Sequence, residues 1–155
     1  MKVSFALSAL LTSSLVSAAS YNLVIAESEY KHLEGRNIVA KDGGFSVTNT
    51  GTPANFKDGR GSLKANGQKV FVDAKGCVGY GKAPKGALTS GWNKDDKELH
   101  WTKGAIFACP NFSFNIGTPT SYGLFANHEG TVTGQADDCF SIHLAVKAKS
   151  KSKSS

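Results

Sequence analysis

Short apolar or alternating runs recur along this sequence, each broken within a few residues by Gly, Asn or Asp. No window sustains the 3.6-residue apolar period of an amphipathic helix. Such a chain has to build its core from strands, whose side chains alternate between two faces, joined by turns that need residues tolerant of tight backbone geometry. An all-β fold is expected, as a single compact antiparallel domain. The spacing predicts strands over Tyr21–Ala26, Ile38–Ala40, Gly44–Asn49, Gly61–Ala65, Lys69–Asp73, Leu99–Thr102, Ala105–Cys109, Ser113–Ile116, Tyr122–Ala126 and Cys139–Lys147. Asn66-Gly67, between Leu63 and Val70, is a type I′ hairpin signal because both central residues of that turn take positive φ. Lys103-Gly104, between Trp101 and Ile106, is a weaker signal of the same kind.

The apolar positions of these two hairpins repeat. Phe56, Leu63, Val70 and Phe71 are matched by Trp92, Leu99, Ile106 and Phe107, each offset by 36 positions. A constant offset marks an internal repeat of one hairpin unit. Two copies without a third leave two architectures open, a β-trefoil-like barrel and a β-sandwich.

The chain has 155 residues, the length of one domain. Residues 1–19 carry one Lys, an apolar run from Val3 to Leu11 and small residues ending at Val16-Ser17-Ala18, the pattern of a secretory signal peptide and too short for a membrane span. The folded domain is expected over residues 20–146, secreted and extracellular. Residues 147–155 contain only Lys, Ser and Ala and are expected to be a disordered basic tail. No apolar C-terminal stretch follows, so no membrane anchor is expected. The formal charge of +6 is concentrated at the ends: five of the 18 basic residues lie in the leader and tail, leaving 13 against 12 acidic groups between them. A nearly neutral domain argues against nucleic acid as a partner. Lys147, Lys149, Lys151 and Lys153 are the expected contacts to anionic wall polymer such as phosphomannan.

Chemistry-bearing residues form no recognisable catalytic or metal motif, and neither catalysis nor a cofactor or metal is expected. His128-Glu129 lacks a second His four residues on, Glu29-x-x-His32 is an isolated coincidence, and His143 faces away from Ile142 and Leu144. The adjacent carboxylates Asp95-Asp96 and Asp137-Asp138 are expected to accept backbone hydrogen bonds in turns. Gly79-Tyr80-Gly81-Lys82 lacks the spacing of a phosphate loop and reads as a flexible turn. A small ribonuclease would draw on His100, His128 and Glu129, with Arg36 or Arg60 on phosphate. Tyr80, Trp101 and Tyr122 are the candidate sugar-stacking residues, although Trp101 shares a face with Leu99 and so also reads as core, as does Trp92. Asn111-Phe112-Ser113 is an N-glycosylation acceptor. Three cysteines, Cys77, Cys109 and Cys139, leave one thiol over in an oxidising compartment.

Tyr21-Asn22-Leu23-Val24-Ile25-Ala26, Val70-Phe71-Val72-Asp73 followed by Gly76 and Gly81-Lys82, Gly91-Trp92, Phe107-x-Cys109-Pro110 and Cys139-Phe140-x-Ile142-x-Leu144 occur here in one order. Together they resemble the PhiA family of fungal secreted cell-wall proteins, some of which are IgE-binding proteins of moulds. The similarity covers most of residues 21–147. It implies a wall-associated protein that supports phialide and conidium development without assigned catalytic residues. It also implies a disulfide between Cys109 and Cys139, with Cys77 as the odd free thiol. The function expected is non-enzymatic binding of cell-wall polysaccharide. A carbohydrate-binding effector or lectin-like module and a small hydrolase are the alternatives, and the oligomeric state is open.

Overall fold

The computed structural model describes residues 20–110, 122–128 and 139–148. Outside them lie the leader, the strand expected over 113–116, Asn111, Glu129, Asp137-Asp138 and the tail lysines Lys149, Lys151 and Lys153. The described chain is all-β, with twelve strands and one turn of 3-10 helix at Lys31–Leu33. The strands are β1 (Tyr21–Ser28), β2 (Asn37–Lys41), β3 (Gly44–Thr48), β4 (Phe56–Asp58), β5 (Leu63–Ala65) and β6 (Gln68–Val72). They continue as β7 (Val78–Tyr80), β8 (Trp92–Lys94), β9 (Glu98–Trp101), β10 (Ile106–Pro110), β11 (Tyr122–Ala126) and β12 (Phe140–Ala148).

The pairing decides between barrel and sandwich. β1 pairs β4, β4 pairs β5, β8 pairs β9, β9 pairs β12, and β12 returns to β1 along its full length from Tyr21↔Ala148 to Ser28↔Ile142. The remaining gap, between β5 and β8, is bridged by the Gly61 carbonyl, which accepts from Gly91 N at 2.9 Å and Trp92 N at 3.0 Å. Six strands therefore close a barrel. The other six form three hairpins, β2–β3, β6–β7 and β10–β11, which meet one another through Gly44↔Gly79, Tyr122↔Val47 and Cys77↔Phe125. The link from each hairpin back to the barrel recurs three times, at Ile38 with Ala54, Val72 with Leu88 and Ala108 with Phe140. A six-stranded barrel capped by three hairpins about a pseudo-threefold axis is the β-trefoil arrangement.

This symmetry explains the repeat. The two copies seen in the sequence are β4–β5–β6 and β8–β9–β10. The third is β12–β1–β2, whose first strand ends the domain and whose second begins it. Phe56 and Trp92 are both buried, as are Leu63 with Leu99 and Val70 with Ile106, so the repeat is a repeat of inward-facing anchors. Asn66 and Gly67 take φ of 50° and 84° between β5 and β6, the turn their sequence demands.

Four expectations need correction. Gly79 and Tyr80 belong to β7, not to a flexible turn. Gly79 is buried where a Cβ would lie 2.8 Å from both the Gly43 carbonyl and the Phe71 ring, so its small size serves hairpin packing. Lys103-Gly104 does turn the chain, with Gly104 N on Trp101 O at 3.3 Å, but β9 and β10 then diverge, each to pair with β12. Lys147 pairs with Asn22 inside β12, so the domain runs to Ala148 rather than ending at 146. Three strands, β4, β7 and β8, were not expected, since three residues are too few to display alternation.

Candidate functional site

Where β1, β11 and β12 come together a group of aromatic side chains gathers, next to polar side chains on the outer surface of β9, β12 and β1. This surface begins with a bulge. The β1–β12 register shifts between Ile25↔Leu144 and Glu27↔His143, leaving both Ala26 and Glu27 exposed before Ser28 turns inward again. Beyond Ser28 the chain leaves the barrel in a loop held at both ends. Ser28 Oγ accepts from Tyr30 N at 3.0 Å, and Glu34 Oε2 accepts from Ser28 N at 3.1 Å. Leu33 is fully buried and pins the loop, while Gly35 N and Arg36 O bond Ile25. Glu29 Oε1 accepts from Ser141 N at 3.0 Å and ties the same loop to β12.

This scaffold presents Tyr30, which is 36% exposed and stands out as the exposed large apolar side chain among the described residues. Its ring stacks on Phe140 at 5.0 Å, meets His32 edge-on at 5.0 Å and lies 6.4 Å from Tyr122, itself 6.3 Å from Phe140. Phe140 follows Cys139, which forms a disulfide with Cys109 in β10, and Tyr122 pairs with Pro110 at the end of that strand. The four rings thus come from three separated segments brought together by β1, β11 and β12.

Two polar clefts lie on the outer face of β12, at Ser141 and His143, which alternate with inward-facing Phe140 and Ile142, and none of the four rings lines either of them. One, of about 280 Å³, is lined by Glu27, Ser28, Glu29, Lys31, Ser141 and His143. Across β12 a second, of about 150 Å³, includes Glu98, His100, Ser141 and His143. His143 Nδ1 lies 3.5 Å from Glu98 Oε1, and His100 Nε2 lies 3.1 Å from Asp95 Oδ2. An exposed ring such as Tyr30 can take the C–H face of a pyranose, and the carboxylates, hydroxyls and imidazoles of the clefts can bond polar ligand groups.

Asp95 shows the acid-accepting turn the sequence suggests. Its Oδ1 accepts from Glu98 N and Lys97 N, each at 2.7 Å. These two backbone donors, with the His100 ring beside them, hold the fully exposed carboxyl down at about 2. A carboxyl lowered in the folded state contributes stability above its ordinary value near 3.8 and loses it as pH falls through about 2. Urea midpoints measured from pH 5 to pH 2 are expected to fall less steeply in Asp95→Asn than in the native protein. Parallel curves would show that Asp95 adds nothing to acid stability.

Of the expected stacking residues only Tyr122 belongs to this face. Tyr80 is half-buried against Phe45 at 5.2 Å, among the hairpins. Trp101 is 4% exposed, its ring 4.5 Å from Trp92 and its Nε1–H donating to Asn127 O at 2.6 Å, so it is core and not a sugar platform. Of the residues a ribonuclease would draw on, His128 bonds the Gly86 carbonyl and lines neither cleft, and Glu129 lies outside the described residues. Glu29 and His32 share the site loop after all, as a hydrogen-bonded clamp and a ring neighbour. Cys77 is free and half-buried on a cavity of about 500 Å³ where β3, β7 and β11 meet. Burial, reinforced by Asp73 and opposed by Lys75, raises its pKa and so lowers its thiolate share at neutral pH. No group of three or more His, Cys, Asp or Glu side chains able to hold a metal ion occurs among the described residues.

No family model, curated protein or solved structure matches this chain. The chemistry of the Tyr30 face is therefore what bears on function. Glu29-Tyr30-Lys31-His32, a polar and aromatic run directly after a strand, was its one local signal in the sequence.

Proposed function

We propose that the protein is a secreted, non-catalytic polysaccharide-binding protein of the fungal cell wall, holding neutral glycan on the Tyr30 face. The observation that carries this reading is the exposed Tyr30 ring, stacked on half-buried Phe140 and held on a loop braced by Ser28, Leu33, Glu29 and Glu34, with a polar cleft along the same loop at Glu29 and Lys31. A braced aromatic keeps the entropic cost of binding low, because little side-chain freedom remains to be lost. The resemblance to PhiA supports wall association, and the disulfide is compatible with an extracellular setting.

Pull-down of purified protein on insoluble β-glucan and chitin tests it. Tyr30→Ala is expected to weaken binding about thirtyfold, ~2 kcal/mol, as for a truncated aromatic hot spot. Tyr30→Phe is expected to retain it. Native protein that stays in the supernatant with every wall glycan would remove the proposal.

One observation favours the hydrolase reading as second choice: His100 and His143 line a single cleft, each beside a carboxylate. RNA cleavage that disappears in folded His100→Ala and His143→Ala variants would establish it.

A further inference from the structure

Three lysines stand in register on adjacent strands. Lys57 of β4 is directly opposite Lys64 of β5, and Lys64 is directly opposite Lys69 of β6. Directly opposed residues share one face of a sheet. That face is the outer one, since Lys64 alternates with buried Leu63 and Ala65, and all three lysines are exposed. With strands about 4.8 Å apart, the ladder sets three ammonium-bearing side chains across roughly 10 Å, perpendicular to the strands. None of the three forms an ion pair among the described residues. Asp58 is the single carboxylate on these strands, and it pairs with buried Leu63 and so sits on the opposite face. Like charges directly opposite one another oppose strand pairing. A nearly neutral domain has thus concentrated positive charge where it works against the fold, and an external anion removes that conflict.

The surroundings indicate which anion. Lys57 and Lys64 line a cleft of about 330 Å³ with Ser20, Asn55 and Asn66. Asn66 Oδ1 accepts from Asn55 N at 2.8 Å, which leaves the Asn66 NH₂ group as a donor. The cleft offers amides and a hydroxyl, the partners of sugar hydroxyls. It offers no aromatic ring on which a nucleic-acid base could stack. We infer that Lys57, Lys64 and Lys69 form a second binding site, for an anionic polysaccharide whose repeated carboxylate, phosphate or sulfate groups run across β4, β5 and β6. It shares no residue with the Tyr30 face. The site lies within the folded domain rather than in the basic tail.

Titration of the secreted chain with polygalacturonate and dextran sulfate tests this, with neutral dextran for the salt-independent background and single-stranded DNA as the nucleic-acid arm. Both anionic glycans are expected to bind, with affinity falling as salt rises from 50 to 200 mM. The Lys57→Gln/Lys64→Gln/Lys69→Gln variant is expected to lose at least tenfold in affinity at the lower salt, and its log–log salt slope to shrink by about one per lysine removed. Lys64→Glu, which places a carboxylate between two lysines, is expected to raise the Tm of the free protein and abolish binding, so lost affinity cannot be ascribed to unfolding. The inference is overturned if the triple variant binds as tightly as the native chain, if deletion of residues 149–155 accounts for the whole loss, or if DNA binds more tightly than either glycan. Neutral glycan on the Tyr30 face is read separately, so either site can fail without the other.

Discussion

Truncation of Trp101 to alanine is expected to cost about 3–5 kcal/mol, the range for deleting a buried tryptophan from a packed core. The residue is buried against Trp92, and its indole N–H satisfies the Asn127 carbonyl, so the variant loses ring packing and strands an acceptor. Against a total stability of about 5–15 kcal/mol this is a large fraction, and for a domain of this size it lowers the Tm by about 10–20 °C. Chemical denaturation of Trp101→Ala and Trp101→Phe measures it, the second variant keeping one aromatic ring while losing the pyrrole ring and its N–H. A loss below 1 kcal/mol for the alanine variant would show that the indole is not a core anchor. Retained glycan binding by folded Trp101→Phe would further separate Trp101 from the sugar face.

Removal of the Cys109–Cys139 bridge is expected to destabilise the protein by about 3–4 kcal/mol, from the chain-entropy relation applied to its sequence separation of 30. The bridge joins β10 to the segment entering β12, beside Phe140 and Tyr122. Its loss is therefore expected to weaken neutral-glycan binding on the Tyr30 face more than polyanion binding on the lysine ladder. The Cys109→Ala/Cys139→Ala variant, followed by urea unfolding and both binding assays, measures the two effects. Cys77→Ala is the control, and it is expected to leave both sites intact because the thiol lies among β3, β7 and β11. Equal losses at the two sites would mean that the bridge supports the fold without shaping the face.

Much of the fold was legible because local chemistry and tertiary structure agree. Tyr122–Ala126 is a strand as its spacing indicates, Asn66-Gly67 makes its hairpin, and His143 points outward between buried Ile142 and Leu144. Asp95 accepts two backbone bonds in its turn. Trp101 fell between two readings, core by alternation and sugar platform by residue type, and alternation prevailed because burying an indole against Trp92 removes a large apolar area from water. The Tyr30 face was far less visible, since its rings lie at positions 30, 32, 122 and 140 and their meeting depends on how β1, β11 and β12 are arranged.

By itself, the order of residues determined the all-β class, the inward positions of the repeat at Phe56, Leu63, Trp92 and Leu99, and the tight turn at Asn66-Gly67. These follow from period-two alternation and from positive φ, which act over a few residues. Only the tertiary structure decided that the strands close a barrel, because closure rests on β12 pairing with β1 across the whole length of the chain. The same closure completed the repeat by joining its two halves from opposite ends. Register, too, was a tertiary matter: Lys57, Lys64 and Lys69 are ordinary solvated lysines along the chain and become a row of opposed charges only once β4, β5 and β6 lie side by side.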